Sequence, residues 1–209
     1  MSYPVTPTEQ LGHPIEASAQ APRRRRGLKI TLGIFGLLLV LCVGGGAFGY
    51  TAYMGPVNKE KATLTAPEQV AGMSKLTDPS LQETADGLAA SLKAQLKATS
   101  TIAAYYAPAG DQQHLVAVWG ATGAVHNPDG ELTSAFKGTD LEVAGIKAVP
   151  AGSLGGAARC GTGSTQGLSF AMCIWADHGS MGAALFFNRT VEESAPLFIT
   201  IREATLHRG

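Results

Sequence analysis

The chain has 209 residues, a formal net charge of zero, 15% charged residues and 26 glycines. That length suits one folded domain with additional segments rather than several domains. After residue 53 there are eleven basic and fourteen acidic residues, a net −3, which excludes the basic surface that nucleic-acid binding requires.

Met1 to Pro22 carries four prolines among Ser, Thr and Gln, without apolar periodicity. Such a composition buries too little surface to offset chain entropy, so residues 1–27 are expected to form a disordered cytoplasmic tail. Arg23, Arg24, Arg25 and Arg26 close it. Directly before an apolar run, four arginines read as a topology signal rather than a nuclear or nucleic-acid patch.

Leu28 to Tyr53 is almost wholly apolar, with Lys29 at its start and no further charge until Lys59. A bilayer core of about 30 Å takes ~20 helical residues, so residues 28–53 are expected to span it. The arginines keep the N-terminus inside, and the rest of the chain is expected outside. Gly45 and Gly49 form a G-x-x-x-G step, read either as a dimer seam or as glycine common to membrane helices. The rival reading is a cleaved secretory signal at Gly45-Gly46-Ala47, although its apolar core would be only roughly 7–15 residues long. Leu41 before Cys42 argues against a lipoprotein anchor. Residues 54–66, with Gly55-Pro56 and Lys59-Glu60-Lys61, read as a spacer,.

Residues 67–209 are expected to form the outer domain. Asp78-Pro79 opens a helix, because aspartate caps free N–H groups and proline fits the first helical position,. Leu81, Ala85, Leu88, Leu92 and Leu96 then place one apolar stripe on a helix running to Lys97,. Thr101–Ala107 and His114–Trp119 read as strands joined across Pro108 to Asp111,. A short helix is expected at Asp129–Lys137, and strands at Leu141–Val149 and Leu154–Cys160. Leu168–Ala176 and Met181–Asn188 form the best pair, joined by the turn residues Asp177-His178-Gly179-Ser180,. Leu168, Phe170, Met172 and Ile174 make one face of the first strand apolar, and Cys173 and Trp175 lie on the other, which predicts a central strand. Thr190 and Glu193 have capping-box spacing,. Pro196 conflicts with that start, so a helix from Ser194 carrying Leu197, Phe198, Ile201 and Ala204 is the competing expectation. The fold class is therefore α+β: a mostly antiparallel sheet of five or six strands, with two helices on one face.

Cys160 and Cys173 are the two cysteines of the outer domain. An even count outside the cytoplasm predicts a disulfide between them, the alternative being two buried thiols. Asp177 and His178 beside Trp175 form the most conspicuous cluster, an acid and an imidazole at a strand end suited to acid–base work,, and turn chemistry accounts for the same residues without catalysis. His114, His126 and His207 show no metal-ligand spacing,. Ala151 breaks the G-x-S-x-G pattern around Ser153, and the glycine-rich stretch from Gly152 to Gly163 lacks a following G-K-[ST],. No catalytic, cofactor or metal residue is assigned on these grounds.

The runs Gly155 to Cys160 and Cys173-Ile-Trp175-Ala-Asp177-His178-Gly179, with the proline-rich tail, arginine cluster and glycine-rich apolar segment, resemble membrane-anchored proteins of actinobacteria such as streptomycetes. Cys-x-Trp-Ala-Asp is the most specific part. The resemblance implies a cell-envelope setting and carries no activity and no functional residues with it. In plan (short tail, one span, small outer domain) the chain is also similar to flagellar basal-body-associated stator-support proteins, without a shared motif. The leading expectation is a non-enzymatic protein that contacts the bilayer and an envelope protein, an envelope ligand or a second copy of itself. The alternatives are an envelope enzyme using Asp177 and His178, and a sensor or stator-type accessory.

Overall fold

The computed structural model describes residues 62–209, so the expected tail at 1–27, membrane segment at 28–53 and the spacer up to residue 61 lie outside the described residues. Among the described residues no helix is long and apolar enough to cross a membrane.

The expected α+β class is present, with three helices and antiparallel strand pairs throughout the described residues. The strands are β1 (Ala62–Leu64), β2 (Gln69–Val70), β3 (Met73–Lys75), β4 (Thr101–Ala107), β5 (Val116–Thr122), β6 (Val143–Ala148), β7 (Ala157–Thr165), β8 (Leu168–Ala176), β9 (Ser180–Phe187) and β10 (Leu206–Arg208). The helices are α1 (Pro79–Leu96), α2 (Pro128–Gly138) and α3 (Val191–Thr205). Eight strands, rather than five or six, form one sheet in the order β2-β3-β4-β5-β9-β8-β7-β6, and β1 pairs with β10 separately. The undercount has a simple cause. The strands between residues 62 and 75 are two or three residues long, too short for alternation to register. Residues 62–64, expected within the spacer, belong to the fold through β1.

Local chemistry starts each helix. The Asp78 side chain accepts from the Ser80 N–H at 2.9 Å, and Asn127 accepts from Gly130 at 3.1 Å. At α3 the capping box forms in full: the Glu193 N–H donates to Thr190 Oγ1 at 3.2 Å, and the Thr190 N–H donates to Glu193 Oε2 at 2.8 Å. The helix thus begins at Val191 and carries Pro196 inside it. The expected start near Ser194 gives way because two reciprocal cap bonds outweigh the one helical bond that proline cannot make.

The helices do not share a face. Leu81, Ala85, Leu88 and Leu92 of α1 and Leu132 and Phe136 of α2 pack with Phe170, Met172 and Ile174 of β8. On the opposite face, Phe198 and Ile201 of α3 pack with Cys160, Cys173 and Trp175. Strand β8 is apolar on both sides, so each side requires cover. That corrects the expectation of two helices on one face.

Candidate functional site

The Cys-x-Trp-Ala-Asp run occupies the second half of β8 and the turn into β9. Cys160 and Cys173 are direct partners across β7 and β8, and their sulfurs lie 2.03 Å apart. Trp175 is fully buried and its indole N–H donates to Ser180 Oγ at 3.2 Å. The ring lies against Phe198, centroids 5.7 Å apart. It extends over Gly182, its cross-strand partner, where an added Cβ would meet the ring at 2.1 Å. The missing side chain at Gly182 is therefore what leaves room for the indole.

Asp177 is only 4% exposed. Its Oδ1 accepts from the Gly179 and Ser180 N–H groups, each at 2.8 Å, and the Ser180 hydroxyl donates to Oδ2 at 2.8 Å. Arg202 of α3, 1% exposed, donates to the same Oδ2 at 2.7 Å. Arg208 of β10 approaches that oxygen at 3.2 Å. The other Arg202 nitrogen, Nη1, donates to the carbonyls of Ala151 and Gly155. Burial pushes the Asp177 carboxyl up, but the Ser180 and Gly179 hydrogen bonds and the Arg202 guanidinium outweigh it. The carboxyl is held below its ordinary range,. It is ionised, saturated with donors and closed to solvent.

The glycine-rich stretch has its explanation at this point. Gly156, at φ +82°, passes so close that a Cβ would fall 2.6 Å from the Ala176 carbonyl and 2.8 Å from Asp177 Cβ. Close backbone approach to the Asp177–Arg202 pair, not phosphate binding, accounts for that glycine.

His178 does not join Asp177. It is exposed, and its Nδ1 lies 3.0 Å from the Val125 carbonyl. Adjacency in sequence becomes separation in the turn, because the aspartate folds back into the hairpin while the imidazole points out. An acid–imidazole contact occurs elsewhere, between Asp111 and His114 at 2.6 Å in the β4–β5 connection. The Asp111-x-x-His114 spacing was the signal for it. Among the described residues no serine, threonine or cysteine hydrogen-bonds the His114 ring, and no cluster of His, Cys, Asp and Glu could hold a metal ion.

Among the described residues an open cleft of about 370 Å³ runs beside β4, lined by Ala66, Leu76, Leu81, Ala85, Asp86 and Ala89 together with the strand itself. Strand β3 pairs with β4 only at Ala107 and Tyr106, and the Leu76 N–H adds one bond to the Tyr105 carbonyl. Among the described residues, no strand covers the rest of that edge. Burial pushes the Tyr105 hydroxyl up to about 12, so it is protonated at neutral pH.

The opposite edge is protected. Strand β6 has a register shift between Ala144 and Lys147, with Gly145 at φ +60°, and Lys147 pairs with Glu192 at 2.5 Å. A bulge and a charge on an edge strand oppose pairing with another chain. Sequence reasoning missed the cleft, since none of its lining residues forms a motif. No protein-family model, curated protein or solved structure matches this chain.

Proposed function

We propose that the chain is an anchored binding protein of the cell envelope. The apolar run 28–53 holds it in the bilayer, the tail 1–27 lies in the cytoplasm, and the folded domain lies outside and binds an envelope partner without catalysis. The arginine cluster before the apolar run supports this orientation,, as does the resemblance to anchored actinobacterial proteins. A cysteine pair at bonding distance fits an oxidising compartment,. The observation that carries the binding reading is the contrast between two places. The Asp177 carboxylate is buried and saturated, whereas the cleft beside β4 is open and lined by alanines and leucines together with the charged Lys75 and Asp86.

Crosslinking in native membranes tests this reading, with mass spectrometry of what co-purifies. One recurrent envelope protein is expected, lost when Ala89→Trp fills the cleft in a protein of unchanged melting temperature. A pattern of crosslinks indifferent to Ala89→Trp would remove the cleft from the function. An enzyme using Asp177 and His178 would instead lose its turnover in His178→Ala. Protease added outside intact cells should remove the domain; full protection would overturn the orientation.

A further inference from the structure

The cleft beside β4 has a chemistry that names its ligand. In antiparallel pairing, alternate residues direct both backbone groups to the same neighbour. The Thr122 N–H donates to the Ser100 carbonyl, so Ser100, Ile102, Ala104 and Tyr106 face β5. Thr101, Ala103 and Tyr105 therefore face the other way, as the bond from Leu76 to the Tyr105 carbonyl shows. Among the described residues β3 reaches no further along β4 than Tyr106. The donors and acceptors of Thr101 and Ala103 thus open into the cleft, in a row with strand spacing.

We infer that this cleft binds an extended polypeptide segment of another protein by strand addition to β4, with a lysine or arginine of that segment meeting Asp86. The inference rests on the binding reading above and specifies its ligand. Three observations select the occupant. A row of alternating N–H and C=O groups is complementary to an extended backbone and not to a helix, whose backbone bonds are made internally. The wall opposite is Leu81, Ala85 and Ala89 of α1, which leaves space for small or branched side chains at alternate positions. Of the two charged lining residues, Lys75 is paired with Glu68 at 2.7 Å, whereas Asp86 is exposed and makes no ion pair among the described residues. A second copy is the poorer fit, because Thr101–Ala107 carries no charge to offer Asp86.

Ala103→Pro is the incisive variant. It removes an N–H that faces the cleft and leaves the β5 ladder of Ile102 and Ala104 in place, as proline on an open edge permits. The probe is a peptide of about six residues, the ordinary length of a strand, alternating valine and threonine around one lysine. Its control carries N-methyl groups on alternate amides. Binding to the full chain in detergent is measured by fluorescence anisotropy, with hydrogen exchange followed residue by residue.

The peptide is expected to slow exchange at Thr101 and Ala103. Methylation of the paired amides, or Ala103→Pro, should weaken it about tenfold. Asp86→Lys should weaken the lysine peptide and favour one with glutamate in its place. Equal binding of the methylated control, unmoved exchange at Thr101 and Ala103, or no binding by either charge form would overturn the inference. So would self-association that protects the same two amides without peptide, which would make the occupant a second copy. If the recurrent envelope crosslink survives Ala103→Pro while Ala89→Trp abolishes it, strand addition falls and the binding reading stands. If Ala89→Trp also leaves it intact, strand addition falls and the partner binds outside the cleft; the absence of any recurrent envelope crosslink would overturn the binding reading itself.

Discussion

The β8–β9 turn and the β4 edge handle polar groups in opposite ways. At the turn, the two oxygens of Asp177 accept from Gly179, Ser180 and Arg202, with the Arg208 guanidinium 3.2 Å away. At the edge, Thr101 and Ala103 present backbone groups to an open cleft. The difference follows from solvent access. A buried charge has no water to turn to, so the fold itself must satisfy it. An edge amide beside a cleft bonds water in the free protein and is released to a partner at small cost. Chemically conspicuous residues thus hold the fold together, and inconspicuous ones line the open cleft.

The sharpest way to break this comparison is Arg202→Ala. It leaves Asp177 buried with Arg208 as its one cationic partner among the described residues, and urea unfolding should show a loss of about 3–5 kcal/mol. A loss under about 1 kcal/mol, the scale of a surface pair, would mean that the turn is not a closed electrostatic unit. Acid probes the same pair. Folded Asp177 titrates below its ordinary value of 3.8. Its contribution is therefore complete above that value and disappears as pH falls through the lower folded pKa. Asp177→Asn should remove this component of acid unfolding.

Next in size is the disulfide. Cys160 and Cys173 close a loop of sequence separation 13, and their joint replacement by serine should cost about 3 kcal/mol in the chain-entropy account. Reduction of the unaltered protein should cost the same. Peptide binding at β4 should persist, since the bridge lies on the opposite face from α1.

Gly182→Ala drives a methyl group into the Trp175 ring. It should destabilise by about 1–3 kcal/mol through overpacking and shift the tryptophan emission. An unchanged melting temperature would show that β9 can move away from the indole. The smallest effect on stability belongs to the edge: Asp86→Lys should leave thermal unfolding unaltered while reversing the charge preference of the cleft. Marked destabilisation there would mean that the cleft is structural.

Much of the fold was legible in local patterns. The α1 stripe from Leu81 to Leu92, the strand from Leu168 to Ala176 and the turn at Asp177 follow from periodicity and capping chemistry. The pairing of Cys160 with Cys173 followed from count and compartment. Arg202 was not legible as a core residue, because a lone arginine on a helix is ordinarily exposed. Only the approach of α3 to the turn buries it against Asp177.

The sequence by itself determined the class of fold, the identity of the turn and the double-sided burial of β8, because each depends on residues near one another along the chain. Tertiary structure alone decided which face each helix covers, that His178 points away from Asp177, and that β3 stops short along β4. Those outcomes depend on contacts between segments far apart in sequence, and the backbone groups that stay unpaired at an edge carry no side-chain signature. The cleft beside Thr101 and Ala103 exists because three residues of β3 cannot cover seven of β4.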